Sequence, residues 1–116
     1  MAARLRVMVV DDEESVRDTM RIALNSLGHS AETVSSAEDA LAVFDSGRFD
    51  VVITDLFLPG MNGDQLARIV KREDGEKPVI LLTAYPPREI PPDVDAILLK
   101  PFSLESLREM LAKVRS

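Results

Sequence analysis

Asp11, Asp12, Asp55, Thr83 and Lys100 are the residues of this chain whose types and placing could do chemistry. Each stands at the end of a short apolar run. Leu5 to Val10 ends in Asp11-Asp12-Glu13, and Val51-Val52-Ile53-Thr54 ends in Asp55. Val79 to Leu82 ends in Thr83, and Ile97-Leu98-Leu99 ends in Lys100-Pro101. If these runs are parallel strands, their polar ends meet at one edge of one sheet, where open α/β sheets bind ligands. Carboxylates clustered there repel one another unless a cation joins them. A lysine and a hydroxyl beside them point to a visiting anion. The chemistry implied is that of phosphate on a carboxylate, assisted by a divalent metal.

Each residue also has a plainer role. Magnesium prefers hard oxygen ligands and keeps several waters. Asp12 and Asp55 can supply two carboxylate oxygens, a backbone carbonyl just after Asp55 a third ligand, and Asp11 a hold on a bound water. The Asp11-Asp12 pair is equally what the dipole of a helix N-terminus favours. Asp55 can act as a nucleophile and form an aspartyl phosphate, or it can end a strand and cap a turn. Lys100 is a compact charge suited to a phosphate oxygen, or a surface lysine with a solvated head. Thr83 offers a hydroxyl, or simply fits a strand as a β-branched residue. Singly, most of these residues favour the plain role; together they favour a site.

The elements that must position them alternate along the chain. Val16, Met20, Ala23, Leu24 and Leu27 recur at helical spacing before Gly28. Ala31 to Val34 is a short strand. Ser36, with Asp39 three residues on, caps a helix carrying Ala40, Leu41, Val43 and Phe44 that ends at Gly47. Phe49 to Thr54 is a strand. The turn-rich Pro59-Gly60-Met61-Asn62-Gly63 leads into a helix with Leu66, Ile69 and Val70. Val79 to Thr83 and Ala96 to Leu99 are further strands. Ser103 caps a last helix with Leu104, Leu107, Met110, Leu111 and Val114 on one face. Continuous apolar strands alternating with helices predict a parallel sheet covered on both faces.

Composition narrows the function classes. At 116 residues and 46% hydrophobic, the chain predicts one folded domain. It has no cysteine, which excludes thiolate zinc sites, disulfides and thiol catalysis. One histidine, His29, cannot build a zinc site alone. A net charge of -6 argues against a sequence-independent grip on nucleic acid. The lack of a long apolar run or signal-peptide pattern predicts a cytoplasmic protein with no membrane partner.

In order, Asp11-Asp12, Asp55-Leu56-Phe57-Leu58-Pro59-Gly60-Met61-Asn62-Gly63, Thr83-Ala84 and Lys100-Pro101-Phe102 resemble the receiver domain of two-component response regulators. The resemblance covers essentially the whole chain, so residues 1–116 are expected to be a single receiver domain. It implies a flavodoxin-like, doubly wound sheet of five parallel strands with helices on both faces. It implies that Asp55 accepts a phosphoryl group from a histidine kinase or a histidine phosphotransfer protein. Magnesium, with manganese as a substitute, would be held by Asp11, Asp12, Asp55 and the backbone carbonyl of Phe57. Thr83 and Lys100 would hold the phosphoryl oxygens and couple them to a switch that changes binding to an output domain or protein. No turnover enzyme is expected beyond transfer to Asp55 and slow loss from it. An aspartyl phosphohydrolase wants a second aspartate two residues after its nucleophile, and Phe57 stands there.

The chain departs from the family at three places. The position three before Lys100, usually aromatic, is Ile97, which puts the aromatic switch in doubt. Pro86, Pro87, Pro91 and Pro92 crowd the stretch where the fourth helix belongs, so that helix is expected to be short or absent. Phe57 and Tyr85 lie two residues beyond Asp55 and Thr83, where bulky side chains hinder a hydrolytic water.

Overall fold

The computed structural model describes residues 4–115. Five strands, β1 (Arg6–Val10), β2 (Ser30–Val34), β3 (Val51–Asp55), β4 (Val79–Thr83) and β5 (Ala96–Leu99), form one parallel sheet in the order β2-β1-β3-β4-β5. Four helices connect or follow them: α1 (Glu14–Ser26), α2 (Ala37–Val43), α3 (Gly63–Glu73) and α4 (Leu104–Arg115). No helix among the described residues is long and apolar enough to cross a membrane.

Strand alternation divides the core in two. Val7, Val9, Val51, Ile53, Ile80, Leu82, Ala96 and Leu98 pack with Met20 and Leu24 of α1 and Leu107 and Leu111 of α4. Met8, Val10, Val52, Val79 and Leu81 pack with Ala37 and Ala40 of α2 and Leu66, Ala67 and Val70 of α3. Central strands buried on both faces need apolar side chains at every position, which is why β3 and β4 read as unbroken runs. The edge strand β2 is half-buried throughout, which is why its sequence signal is weak.

Local chemistry sets the helix starts. Ser36 Oγ accepts from Asp39 N at 3.0 Å and begins α2. Gln65 Oε1 accepts from Asn62 N at 2.9 Å at the head of α3. Ser103 Oγ accepts from Ser106 N at 3.0 Å and begins α4. Each satisfies a backbone donor that the helix itself leaves unpaired.

The expectation of a fourth helix short or absent is corrected. The described residues form four helices, and the fourth in chain order, α4, is the helix expected after Ser103, 12 residues long. Its apolar stripe of Leu107, Met110, Leu111 and Val114 seals the first core, so packing holds it at full length. Residues 84–95, between β4 and β5, run as turns and bends. They are tied to α3 by Lys71–Asp95 at 2.8 Å and Arg68–Asp93 at 3.9 Å. Asp95 also accepts from Val79 N at 2.8 Å, and Val94 is buried.

Gly63 sets how closely α3 approaches the end of β3. A Cβ at Gly63 would lie 2.1 Å from the carbonyl oxygen of Asp55, and Gly63 N donates to Leu56 O at 2.9 Å. Helix propensity favours alanine over glycine by about 1 kcal/mol, but a clash with rigid backbone outweighs that gain. Gly63→Ala is expected to lower stability by about 1–3 kcal/mol in urea denaturation. Gly47→Ala, where the nearest atom is a side-chain oxygen at 3.6 Å, should stay within about 0.5 kcal/mol.

Candidate functional site

The register of the sheet aligns the carboxyl ends of four neighbouring strands. Val10 faces Thr54, Asp55 faces Leu82, and Thr83 faces Leu99. Asp11 and Asp12 therefore emerge from β1 beside Asp55 at the end of β3. Thr83 ends β4, and Lys100 follows β5 with its N–H donating to Thr83 O at 2.9 Å. All five residues singled out in the sequence converge here. Asp12, Asp55, Thr83 and Lys100 line one cleft of about 300 Å³, with Glu13, Phe57 and Tyr85 at its rim.

Asp11 is fully buried and held from several sides. Its Oδ1 accepts from Glu13 N at 2.9 Å. Its Oδ2 forms an ion pair with Lys100 Nζ at 2.9 Å and has no other polar partner. Asp55 is 7% exposed and pairs with the same ammonium at 3.4 Å. Asp12, by contrast, is exposed. Thr83 is buried, and its Oγ1 accepts from Tyr85 N at 3.1 Å, leaving the hydroxyl proton available to another acceptor. Phe57 directs its backbone N–H at the Asp55 carboxylate; the residue is 58% exposed, and Tyr85 76%.

Burial, and then the negative charge of Asp11, raise the Asp55 pKa above the ordinary carboxylate value; Lys100 and the Phe57 N–H pull against them. Burial likewise opposes the charge on Lys100 and is the largest single influence there. The contact with Asp11 and the charge of Asp55 together outweigh it, so the ammonium pKa is raised.

Asp11, Asp12 and Asp55 against Lys100 leave these four side chains with a formal net charge of -2. Oxygens of Asp11, Asp12 and Asp55 lie within 4.8 Å of one another. A buried carboxylate oxygen partnered only by the lysine, hard donors only, and uncompensated negative charge all fit a hard divalent cation.

Three contacts at the site escaped the sequence. Arg17 Nη1 donates to the Asp11 carbonyl at 2.8 Å. Glu38 of α2 accepts from Met61 N at 3.3 Å and so braces the loop after Asp55. Gly63 gives α3 its close start. Only Arg17 carried a signal: a cation near the head of a helix opposes the dipole there and calls for a specific partner.

Residues 7–112 match the family model of the response regulator receiver domain. The transcriptional regulatory protein TcrA of Mycobacterium tuberculosis is 32% identical over 117 residues, covering 97% of this chain and 45% of TcrA. This chain thus spans about half the length of that relative. The chemotaxis protein CheY4 of Vibrio cholerae superposes with a TM-score of 0.88 at 30% identity, covering 97% of this chain and 99% of that one. The response regulator TrrA of Thermotoga maritima, solved with Mg²⁺ and BeF, gives 0.87 at 32% identity, covering 95% and 98%. TrrA has also been solved in complex with the histidine kinase ThkA.

The raised Asp55 pKa has a consequence for stability. Between the ordinary aspartate value, about 3.9, and the raised native one, the folded state binds more protons than the unfolded state. Stability therefore falls as pH rises through that window and stays lower above it. Asp55→Asn removes the cost. With a chelator present, its melting temperature should exceed that of the wild type at neutral pH. The difference should shrink as the pH approaches 4; an equal or larger gap there would contradict the assignment.

Proposed function

Because this chain belongs to the family of response regulator receiver domains, we propose that it is a phosphorylation-controlled switch whose acceptor is Asp55. The observation that carries this reading is the convergence of Asp11, Asp12, Asp55, Thr83 and Lys100 at one sheet edge, around one cleft. The donor is a phosphohistidine on a histidine kinase or a phosphotransfer protein, a class supported by the kinase complex of TrrA. A largely apolar groove of about 380 Å³, bounded by Val16 and Thr19 of α1 and by Pro101 and Phe102, borders Lys100 and offers such a protein a seat beside the acceptor.

In the transfer, an oxygen of the Asp55 carboxylate attacks phosphorus, the bond from phosphorus to the donor imidazole nitrogen breaks, and its electron pair stays with the imidazole. Positioning and charge stabilisation supply most of the catalysis of such a step. Lys100, already 3.4 Å from Asp55, offsets charge on a phosphoryl oxygen, and the Thr83 hydroxyl donates its proton to another. Asp12, Asp55 and the Phe57 carbonyl would hold Mg²⁺, or Mn²⁺ in its place, with Asp11 assisting. Bound there, the cation screens the acceptor carboxylate from the incoming phosphoryl oxygens.

Relaying the event must work without the ring that many receivers use. Ile97 is half-buried and packs against the core shared by α2 and α3. It has no ring to turn in or out when Thr83 is drawn to the phosphoryl group. The downstream partner is an output domain or protein that reads the changed surface.

Intact-mass spectrometry after incubation with acetyl phosphate and Mg²⁺ tests the acceptor. One phosphoryl group should add to the wild type and none to Asp55→Asn; addition to both would place the acceptor elsewhere. The exposed rings of Phe57 and Tyr85 at the rim should obstruct the hydrolytic water. Phe57→Asn with Tyr85→Glu should hasten loss of the phosphoryl group by about tenfold, equivalent to ~1.4 kcal/mol of barrier. Unchanged decay would mean that the rings do not control water access.

A further inference from the structure

We propose that Arg17 is a positioning residue for the cation site, clamping the acidic turn so that Asp12 faces the ion. The inference rests on the Mg²⁺-binding reading above. The Arg17 side chain holds the start of the turn of residues 11–13, whose end is held by the first backbone bond of α1. Its guanidinium Nη1 donates to Asp11 O at 2.8 Å, and its backbone N–H donates to Glu13 O at 3.1 Å. The remaining groups of Asp11 are fixed as well. Its N–H donates to Val34 O at 3.2 Å, its Oδ1 accepts from Glu13 N, and its Oδ2 meets Lys100. Asp12 is the exposed residue between two pinned neighbours. Its carboxylate therefore goes where the turn points it.

The position of Arg17 is electrostatically awkward, which makes a purely local role a poor explanation. A guanidinium in the first turns of α1 opposes the helix dipole. As a charge near a dication, it should also weaken cation binding. Charge and clamp thus predict opposite signs on removal. If Arg17 is only a neighbouring charge, Mg²⁺ binds more tightly without it. If it shapes the turn, Mg²⁺ binds more weakly. Groups that orient metal ligands typically cost 10–100-fold in affinity when lost, so the clamp should dominate.

The experiment is a Mg²⁺ titration of the wild type, Arg17→Met and Arg17→Lys. It is followed by the fluorescence of Tyr85, the one tyrosine in a chain without tryptophan, which lies at the cleft rim, and repeated by calorimetry. Melting in chelator controls for the fold. Arg17→Met should weaken Mg²⁺ binding about tenfold or more. Arg17→Lys, which keeps a donor for the carbonyl, should lose less, and melting in chelator should change little. Unchanged or tighter binding in Arg17→Met would overturn the proposal. If that variant does not fold in chelator, Arg17→Gln is read by the same two outcomes. A wild type that binds no Mg²⁺ would sink the cation reading itself, and that is visible before any variant is compared.

Discussion

The repulsion between Asp11 and Asp55 is the interaction on which this molecule depends. Two carboxylates on adjacent strands are withdrawn from water, with one ammonium between them. Burial, followed by the charge of Asp11, favours the protonated form of Asp55, whose pKa is raised. Lys100 keeps the pair tolerable without neutralising it. The residual negative charge is what makes the cleft receptive to a cation. It also couples charge at Asp55 to the position of Lys100, because the lysine is shared with Asp11. Any group added to Asp55 changes the balance of that three-way contact.

Holding like charges together requires a stiff frame. The strands that carry Asp11, Asp55 and Thr83 lie inside the sheet, with helices on both faces. They cannot splay to relieve the repulsion without opening two cores at once. Gly63 extends this rigidity into α3, whose first residue lies against the Asp55 backbone. Farther from the cleft, a different device holds the loop 45–49 to the start of β4. Lys77 is buried, with its ammonium donating to Ser46 O at 2.9 Å and also to Phe49 O. A buried charge with several acceptors is tolerable where an unpaired one would not be.

Much of this was legible in the sequence because a parallel sheet converts chain order into spatial order. Asp55, Thr83 and Lys100 are far apart in sequence, yet each ends an apolar run, and strands paired in parallel must bring such ends together. The caps at Ser36 and Ser103 were readable for a similar reason, since they serve local backbone donors. What escaped was long-range contact between a side chain and backbone elsewhere. Nothing in the letters of Glu38 says that it braces Met61, and nothing in Gly63 says that a carbonyl lies where its Cβ would be. The fourth helix in chain order is α4, whose spaced leucines after Ser103 were readable, while the proline-crowded stretch 84–95 runs as turns and bends. Proline clusters show where a helix is disfavoured, whereas the helix count depends on which apolar faces the sheet must cover.

Two arms leave the cleft, and they meet again at their far ends. One is the segment after Thr83, whose backbone N–H at Tyr85 is bonded to the Thr83 hydroxyl. The other is α3, which starts against Asp55. Lys71 and Arg68 on α3 reach Asp95 and Asp93 on the β4–β5 connection. Each exposed ion pair is worth at most about 1 kcal/mol. Asp95 has a second bond, to Val79 N, which anchors the connection to β4 as well. The shift of Thr83 proposed above would therefore pull on a segment that α3 restrains. The resistance comes from small polar contacts rather than from a packed helix. With Ile97 in place of a ring, the proposed shift would have no large side chain to reposition and would act on the contacts between α3 and the β4–β5 connection.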